Sequence, residues 1–354
     1  MASTAVVLVV VVLILGGGIA VYYLASGNLS NIVPTTQPTS TSSSNAVIES
    51  TSTMSVSLST FLATSTSTLT QTFTSLGRTF YVPSNYSTID AAITASEPGD
   101  TIKVAPGNYS AFTVDRAVTV EATSSGTSVE GIAVTASGAT VKGFVVHPAI
   151  SFSSPDYAQE SCAAILVEGS NDLIENNLIT NPPSTACSND YTFNGRMFGI
   201  FISSSYRQGP DGIGITYNVV TSMFGGIADD QGYQTNIYGN IINGSSEAGI
   251  WLFNSRGDQI HLNQIGVGAF GVWLDSGSTS NVVVSNNFVN GSSARDDGSG
   301  NSWSVNGKGN YWSSWTSPDN DHDGIVDLPY PIPGSARSSD QYPLVNPVAL
   351  PVAY

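Results

Sequence analysis

The first apolar feature of the chain is an uncharged run from Ala5 to Ala25. About 20 apolar residues at a helical rise match the hydrocarbon core of a bilayer. Tyr22 and Tyr23 close the run, where amphipathic rings favour the membrane interface. The pattern predicts one transmembrane helix within an anchor spanning residues 1–27. A signal peptide would carry positive charge before its apolar run, whereas the first Lys or Arg here is Arg78. From 28 to 77 the apolar pattern disappears. Residues 35–75 hold 25 Ser or Thr and one charged residue, Glu49. Such a segment buries too little apolar surface to offset its ordering entropy, which predicts a disordered stalk.

Beyond Arg78 the apolar spacing becomes two, and the pattern repeats. One phase reads small-aliphatic-x-aliphatic, as in Gly199-Ile200-Phe201-Ile202, Gly226-Ile227-Ala228-Asp229, Gly249-Ile250-Trp251-Leu252 and Gly271-Val272-Trp273-Leu274. A second phase reads aliphatic-x-x-Asn-x-aliphatic, with asparagines at 177, 218, 240, 263 and 287; the last four are 22, 23 and 24 residues apart. An earlier copy uses Gly131-Ile132-Ala133-Val134 followed by Val141, Phe144 and Val146. Aliphatics two apart share one strand face. A period near 22 residues with two or three short strands predicts a solenoid whose coils stack on a continuous core. The recurrent asparagine suits a tight bend, tolerating left-handed backbone while its amide bonds to copies above and below. The fold class is therefore all-β, with the solenoid over 78–300 and a C-terminal cap over 301–354.

Composition narrows the partners. Lys and Arg number 10 against 26 Asp and Glu, a net charge of −16, and only 10% of residues are charged. A nucleic-acid binder needs a basic footprint, so nucleic acid is not an expected partner. Five N-x-S/T sequons begin at Asn28, Asn85, Asn108, Asn243 and Asn290. Together with the stalk they predict a single-pass protein with its bulk outside the cell membrane, carrying glycans. Cys162 and Cys187 suit one disulfide there, with two buried free thiols as the alternative.

Three groups of residues could carry chemistry. Asp319-x-Asp321-x-Asp323-Gly324-Ile325-Val326-Asp327 alternates carboxylates around a sharp glycine turn. That is the donor set of a hard cation, Ca2+ first, with the Ile325 carbonyl and Asp340 as further ligands. Phe201, Trp251 and Trp273 share the outward strand position, and neighbouring coils lie ~4.8 Å apart, so the two tryptophans should stack in a glycan-binding stripe. Beside them Asp230 and Asp275 fall two coils apart, a stacked separation of ~9–10 Å, near the ~6.5–9.5 Å of inverting glycosidases. Asp229 takes an inward position where other coils have Leu or Ile, which would desolvate it and raise its pKa.

The opening Tyr86-Ser-Thr-Ile-Asp-Ala-Ala-Ile93 is suited to plugging the end of a stack, with Ile89, Ala92 and Ile93 on one helical face. It is followed by Pro98-Gly-Asp-Thr-Ile-Lys-Val-Ala-Pro-Gly-Asn-Tyr109. The C-terminal part adds Gly309-Asn-Tyr-Trp-Ser-Ser-Trp315, Pro329-Tyr-Pro-Ile-Pro333 and Asp340-Gln-Tyr-Pro-Leu344. Over about residues 78–346 the chain resembles the right-handed parallel β-helix proteins of the pectin-lyase-like superfamily. Within them it is most similar to the NosD-like, or carbohydrate-binding and sugar-hydrolase (CASH), group. The resemblance implies a polysaccharide binder, a polysaccharide hydrolase, lyase or epimerase, or a structural envelope or adhesive coat protein. NosD proteins are also associated with copper delivery to nitrous-oxide reductase. His147, His261 and His322 are far apart and the four methionines are scattered, so a copper role is not expected.

Overall fold

A computed structural model of the chain describes residues 8–15, 18–25, 77–149, 162–180, 197–203, 209–266 and 268–352. The chain divides into two compact units, Met1–Thr68 and Leu69–Tyr354. In the first, Leu8–Leu15 pairs antiparallel with Gly18–Ala25, with Leu8 opposite Ala25 and Leu15 opposite Gly18. The expected transmembrane helix is thus replaced by two strands. The valines that make the run apolar are also β-branched, stiff in a helix and suited to a pleated strand. Among the described residues no helix is long and apolar enough to cross a membrane. The expected stalk, with Asn28, lies outside the described residues, apart from its last residue, Gly77.

The second unit is a parallel β-helix. Three sheets of nine, nine and eight strands run through it, each coil contributing in turn to the first, second and third. Register carries the inward residues directly onto one another. Ile215, Ile237, Ile260 and Val283 stack in the first sheet. Val220, Ile242, Ile265 and Phe288 do so in the second. Ile200, Ile227, Ile250 and Val272 do so in the third. All twelve are fully buried, the continuous apolar column that the period of two predicts. The repeated glycine before each third-sheet aliphatic is set by space. A Cβ on Gly199 would stand 2.5 Å from Val220 Cγ1, and one on Gly271 2.6 Å from Phe288 Cδ1.

A ladder of asparagines bends the coil between the first and second sheets. Asn177, Asn218, Asn240, Asn263, Asn286 and Asn310 are stacked through Nδ2 to Oδ1 bonds of 3.1, 3.1, 3.0, 2.9 and 3.0 Å. The last repeat therefore differs by one residue from the sequence expectation. Asn286 is the ladder residue, and Asn287 pairs with Gln264 in the second sheet. The left-handed backbone also sits one residue earlier than expected, at Asn176, Tyr217, Gly239, Leu262 and Ser285. The ladder asparagines are buried because their amides have somewhere to bond; an unbonded buried amide would cost roughly 1–3 kcal/mol.

Both ends of the stack are covered. Ile89–Ala95 is a helix whose N-cap Thr88 accepts the Ala91 N–H at 3.2 Å, and Ile89, Ala92 and Ile93 are buried. At the other end Trp312 stacks on Phe288 at 3.9 Å and on Tyr330 at 4.0 Å.

Candidate functional site

The outer face of the third sheet carries the predicted aromatic column. Register places Leu166, Phe201, Ala228, Trp251 and Trp273 one above another. Trp251 and Trp273 stack with centroids 4.2 Å apart and planes 11° apart. The stripe is less open than the sequence suggests. Trp251 is 8% exposed and Phe201 5%, because both are absorbed into a second apolar cluster with Leu166, Phe198, Phe224 and Ala228. Phe253 stacks on Trp251 at 4.3 Å. Trp273 remains half-buried. Its Nε1 donates to Asp297 Oδ2 at 3.3 Å, and Arg295, ion-paired to the same carboxylate at 2.5 Å, lies 5.4 Å from its ring centroid.

The next outward column holds Asp230, which lies opposite Phe253. Burial pushes its pKa up to about 6, with Asp275 adding to the rise and the Gln231 side chain opposing it. Asp275 is engaged in holding the turn, its Oδ1 accepting from Asn254 N at 3.0 Å, Gly277 N at 3.0 Å and Ser278 Oγ at 2.9 Å. Asp229 points the other way, as its phase predicts. It pairs with Ile202 and Leu252, is fully buried, and its carboxyl is raised mainly by desolvation. A Cβ on Gly232 would stand 2.1 Å from its Oδ1, so Asp229 lies beneath the backbone and cannot touch a ligand on the surface.

Sequence reasoning missed the neighbouring turn. Asp211, Tyr233, Arg256 and Thr279 form parallel bridges from coil to coil and border a groove of about 770 Å³. Tyr233 is 37% exposed, and the Arg256 guanidinium lies 5.1 Å from its ring centroid. Asn254 and Gln231 add amides to the lining. The available signal was that Tyr233 and Arg256 share a phase 23 residues apart, a polar phase outside the apolar repeat.

In the acidic loop, Asp319, Asp321 and Asp327 bring one carboxylate oxygen each within 4.8 Å of one another. Asp319 Oδ1 is buried and has no hydrogen-bond partner, as expected of an atom left for a cation. Asp327 Oδ2 accepts the Asn320 N–H at 3.0 Å. Asp323 instead holds the turn, accepting the Ile325 N–H at 2.8 Å, while Gly324 adopts φ +87°. Ile325 bridges to Leu344. Asp340 is not part of the gathered group. It is fully buried and accepts from Asn310 N at 2.7 Å and Trp312 Nε1 at 3.0 Å, with its pKa raised by burial. These oxygens suit a hard divalent cation.

Cys162 is disulfide-bonded, and its expected partner Cys187 lies outside the described residues. Asn85, Asn108 and Asn290 are exposed and Asn243 is half-buried.

The family described as "Periplasmic copper-binding protein (NosD)" matches residues 44–317. A protein of Stutzerimonas stutzeri named "Probable ABC transporter binding protein NosD" is 32% identical over 118 residues, 33% of this chain and 26% of that one. Its namesake from Pseudomonas aeruginosa is 30% identical over 96 residues, 25% of this chain and 22% of that one. The chain thus spans about a quarter of the length of these curated relatives. Among solved structures, pectate lyase Pel9A aligns with a TM-score of 0.40 at 16% identity, covering 67% of this chain and 74% of its own.

Proposed function

The chain belongs to the NosD family, and we propose that it is a membrane-tethered, extracytoplasmic right-handed β-helix that binds polysaccharide. The observation that carries this reading is the groove at the turn after the third sheet. Its lining comes from four successive coils, so its long direction follows the stack and suits a linear polymer. The Tyr233 ring offers an apolar face to a sugar, and Arg256, Asp211 and Asn254 offer planar polar groups to hydroxyls. Trp273 extends the surface on the sheet. The test is a glycan array read with Tyr233→Ala and Arg256→Ala. Loss of binding in both supports the reading; unchanged binding to every recognised glycan refutes it. A wild type that binds no glycan leaves the structural coat reading in its place.

An enzymatic version rests on Asp230, whose raised pKa suits a general acid beside Asp275. Release of reducing ends or unsaturated products by the wild type, lost in Asp230→Asn with binding retained, would establish it.

A copper role has less support. His147 bonds Thr180 Oγ1 at 2.6 Å and His261 bonds Asn236 Oδ1 at 2.8 Å. No histidine joins the acidic group at 319–327. That group supports calcium instead, held by Asp319, Asp321 and Asp327 with the loop ordered around it. For residues 5–25, a bilayer would favour the helical form. In lipid a single segment must satisfy its own backbone hydrogen bonds, which two isolated strands do not.

A further inference from the structure

The eight ladder asparagines of the described residues obey one rule. Each Oδ1 accepts the N–H of the equivalent residue one coil earlier, as Asn281 Oδ1 does from Asp258 N at 2.9 Å. Each Nδ2 donates to the carbonyl three residues before that equivalent. Asn177, Asn218, Asn240, Asn263, Asn286 and Asn310 thus serve Val141, Ile174, Ile215, Ile237, Ile260 and Val283. At the bend leading into the first sheet, Asn281 serves Ser255 and Asn301 serves Ser278, both at 3.2 Å.

Asp172 and Asp258 occupy that second bend. Their Oδ1 atoms do the asparagine's accepting work, taking Ala139 N–H at 2.7 Å and Thr235 N–H at 2.9 Å. Their Oδ2 atoms stand where the amide nitrogen would be, are buried, and have no hydrogen-bond partner. The offset directs those oxygens at the carbonyls of Ala136 and Gly232. For Asp172 the two oxygens share one small space. Ala136 O and Asp172 Oδ2 both crowd the point where a Cβ of Gly169 would stand, 2.0 and 2.5 Å from it. For Asp258, the Gly232 carbonyl receives its backbone donor, Arg256 N–H at 3.0 Å, just as the Ser255 carbonyl receives Thr279 N–H at 3.0 Å. The Ser255 carbonyl has the Asn281 amide as well. An ionised oxygen facing a carbonyl oxygen inside the stack would repel it; a hydroxyl would complete the pattern.

We propose that Asp172 and Asp258 are neutral carboxylic acids in the folded protein, each Oδ2–H donating to the carbonyl that an asparagine amide serves in other coils. Asp229 is the titratable group facing Asp258, and none faces Asp172. Burial raises both, Asp172 to about 7 against the opposing Ala139 and Gly138 N–H groups. Asp258 is raised by burial and then by Asp229. A folded pKa above the unfolded value means the stabilisation is complete in acid, below the ordinary carboxylate range, and is lost as pH rises through the folded value. The two acids make this solenoid fit for acid and weaken it in alkali.

The test uses the full chain and Asp172→Asn, Asp258→Asn and the double variant, unfolded in denaturant at pH 3.5 and pH 8. The amide needs no proton, so the variants should match the wild type in acid and exceed it at pH 8. For Asp172→Asn the gain in the folding equilibrium is on the order of a thousandfold, tenfold for each unit of pKa. At neutral pH the infrared difference between wild type and Asp258→Asn should contain a protonated-carboxyl C=O band. Carboxylate bands alone, or variants no more stable than the wild type at pH 8, would overturn the proposal.

Discussion

Asp340 Oδ2 lies 2.7 Å from the backbone nitrogen of Asn310, so a carboxylate from 30 residues downstream ends the asparagine ladder. It also accepts the Trp312 indole N–H at 3.0 Å, and its Oδ1 accepts Tyr342 N–H at 3.1 Å. Removing it leaves several buried donors unbonded at once. Asp340→Ala should therefore destabilise by roughly 3 kcal/mol or more, read as a lower denaturant midpoint. Asp340→Asn should lose less, since its Oδ1 can still accept.

Trp251 and Trp273 should respond differently to truncation although they stack on each other. Trp251 is enclosed in the outer apolar cluster, so Trp251→Ala should cost about 3–5 kcal/mol. Trp273 keeps part of its surface in water, so Trp273→Ala should cost less and weaken glycan binding more. Melting curves and binding titrations on the two variants check the ordering.

Calcium at the acidic loop should raise the melting temperature of the whole protein. A ligand present at a hundredfold excess over its Kd stabilises by about 2.7 kcal/mol. A chelator should reverse the shift, and Asp321→Ala with Asp327→Ala should abolish it. The response should fade in acid as the ligands take up protons. Identical curves with calcium and with chelator would exclude the site.

Asp230 adds a pH dependence of its own. Its folded pKa of about 6 lies above the ordinary 3.8, so its proton stabilises the fold fully below pH ~4, and that contribution disappears as pH rises through 6. Asp230→Asn should match the wild type near pH 3 and be more stable at pH 8, by roughly 1–3 kcal/mol, measured as the change in midpoint between the two pH values.

The apolar run at 5–25 should hold the protein in the membrane. Protease added to intact cells should cut within 28–77 and release a soluble β-helix, while a carbonate wash leaves the intact chain with the membrane. Extraction of the intact chain by carbonate alone would exclude the tether.

The repeat was readable because an inward Ile or Val every second residue, recurring each coil, has few other structural meanings. Its final register was not. Val282-Val283-Val284 followed by Asn286-Asn287 offers two alignments in sequence, and only the pairing of Val283 with Ile260 decides between them. Phase placed Trp251 on the outer face but said nothing of Phe198, Phe224 and Phe253 closing around it. Asp340 read as a metal ligand because its ladder partners are distant in the chain. The Tyr233–Arg256 groove lay in a polar phase outside the apolar repeat, where a shared 23-residue spacing was the one signal.

The covering of both ends has a consequence for assembly. In a stack of parallel strands, every coil is a template for another coil of the same shape. The last first-sheet strand, Val282–Val284, and the second-sheet pair Asn287–Phe288 would offer unpaired N–H and C=O groups if the segment beyond 300 were lost. A chain truncated there should pair its bared end with that of a second copy and dimerise, since the Ile89–Ala95 helix still covers the other end. The tryptophans and Asp340 of the terminal segment thus act as a stop, keeping the last coil of one molecule from pairing with that of another.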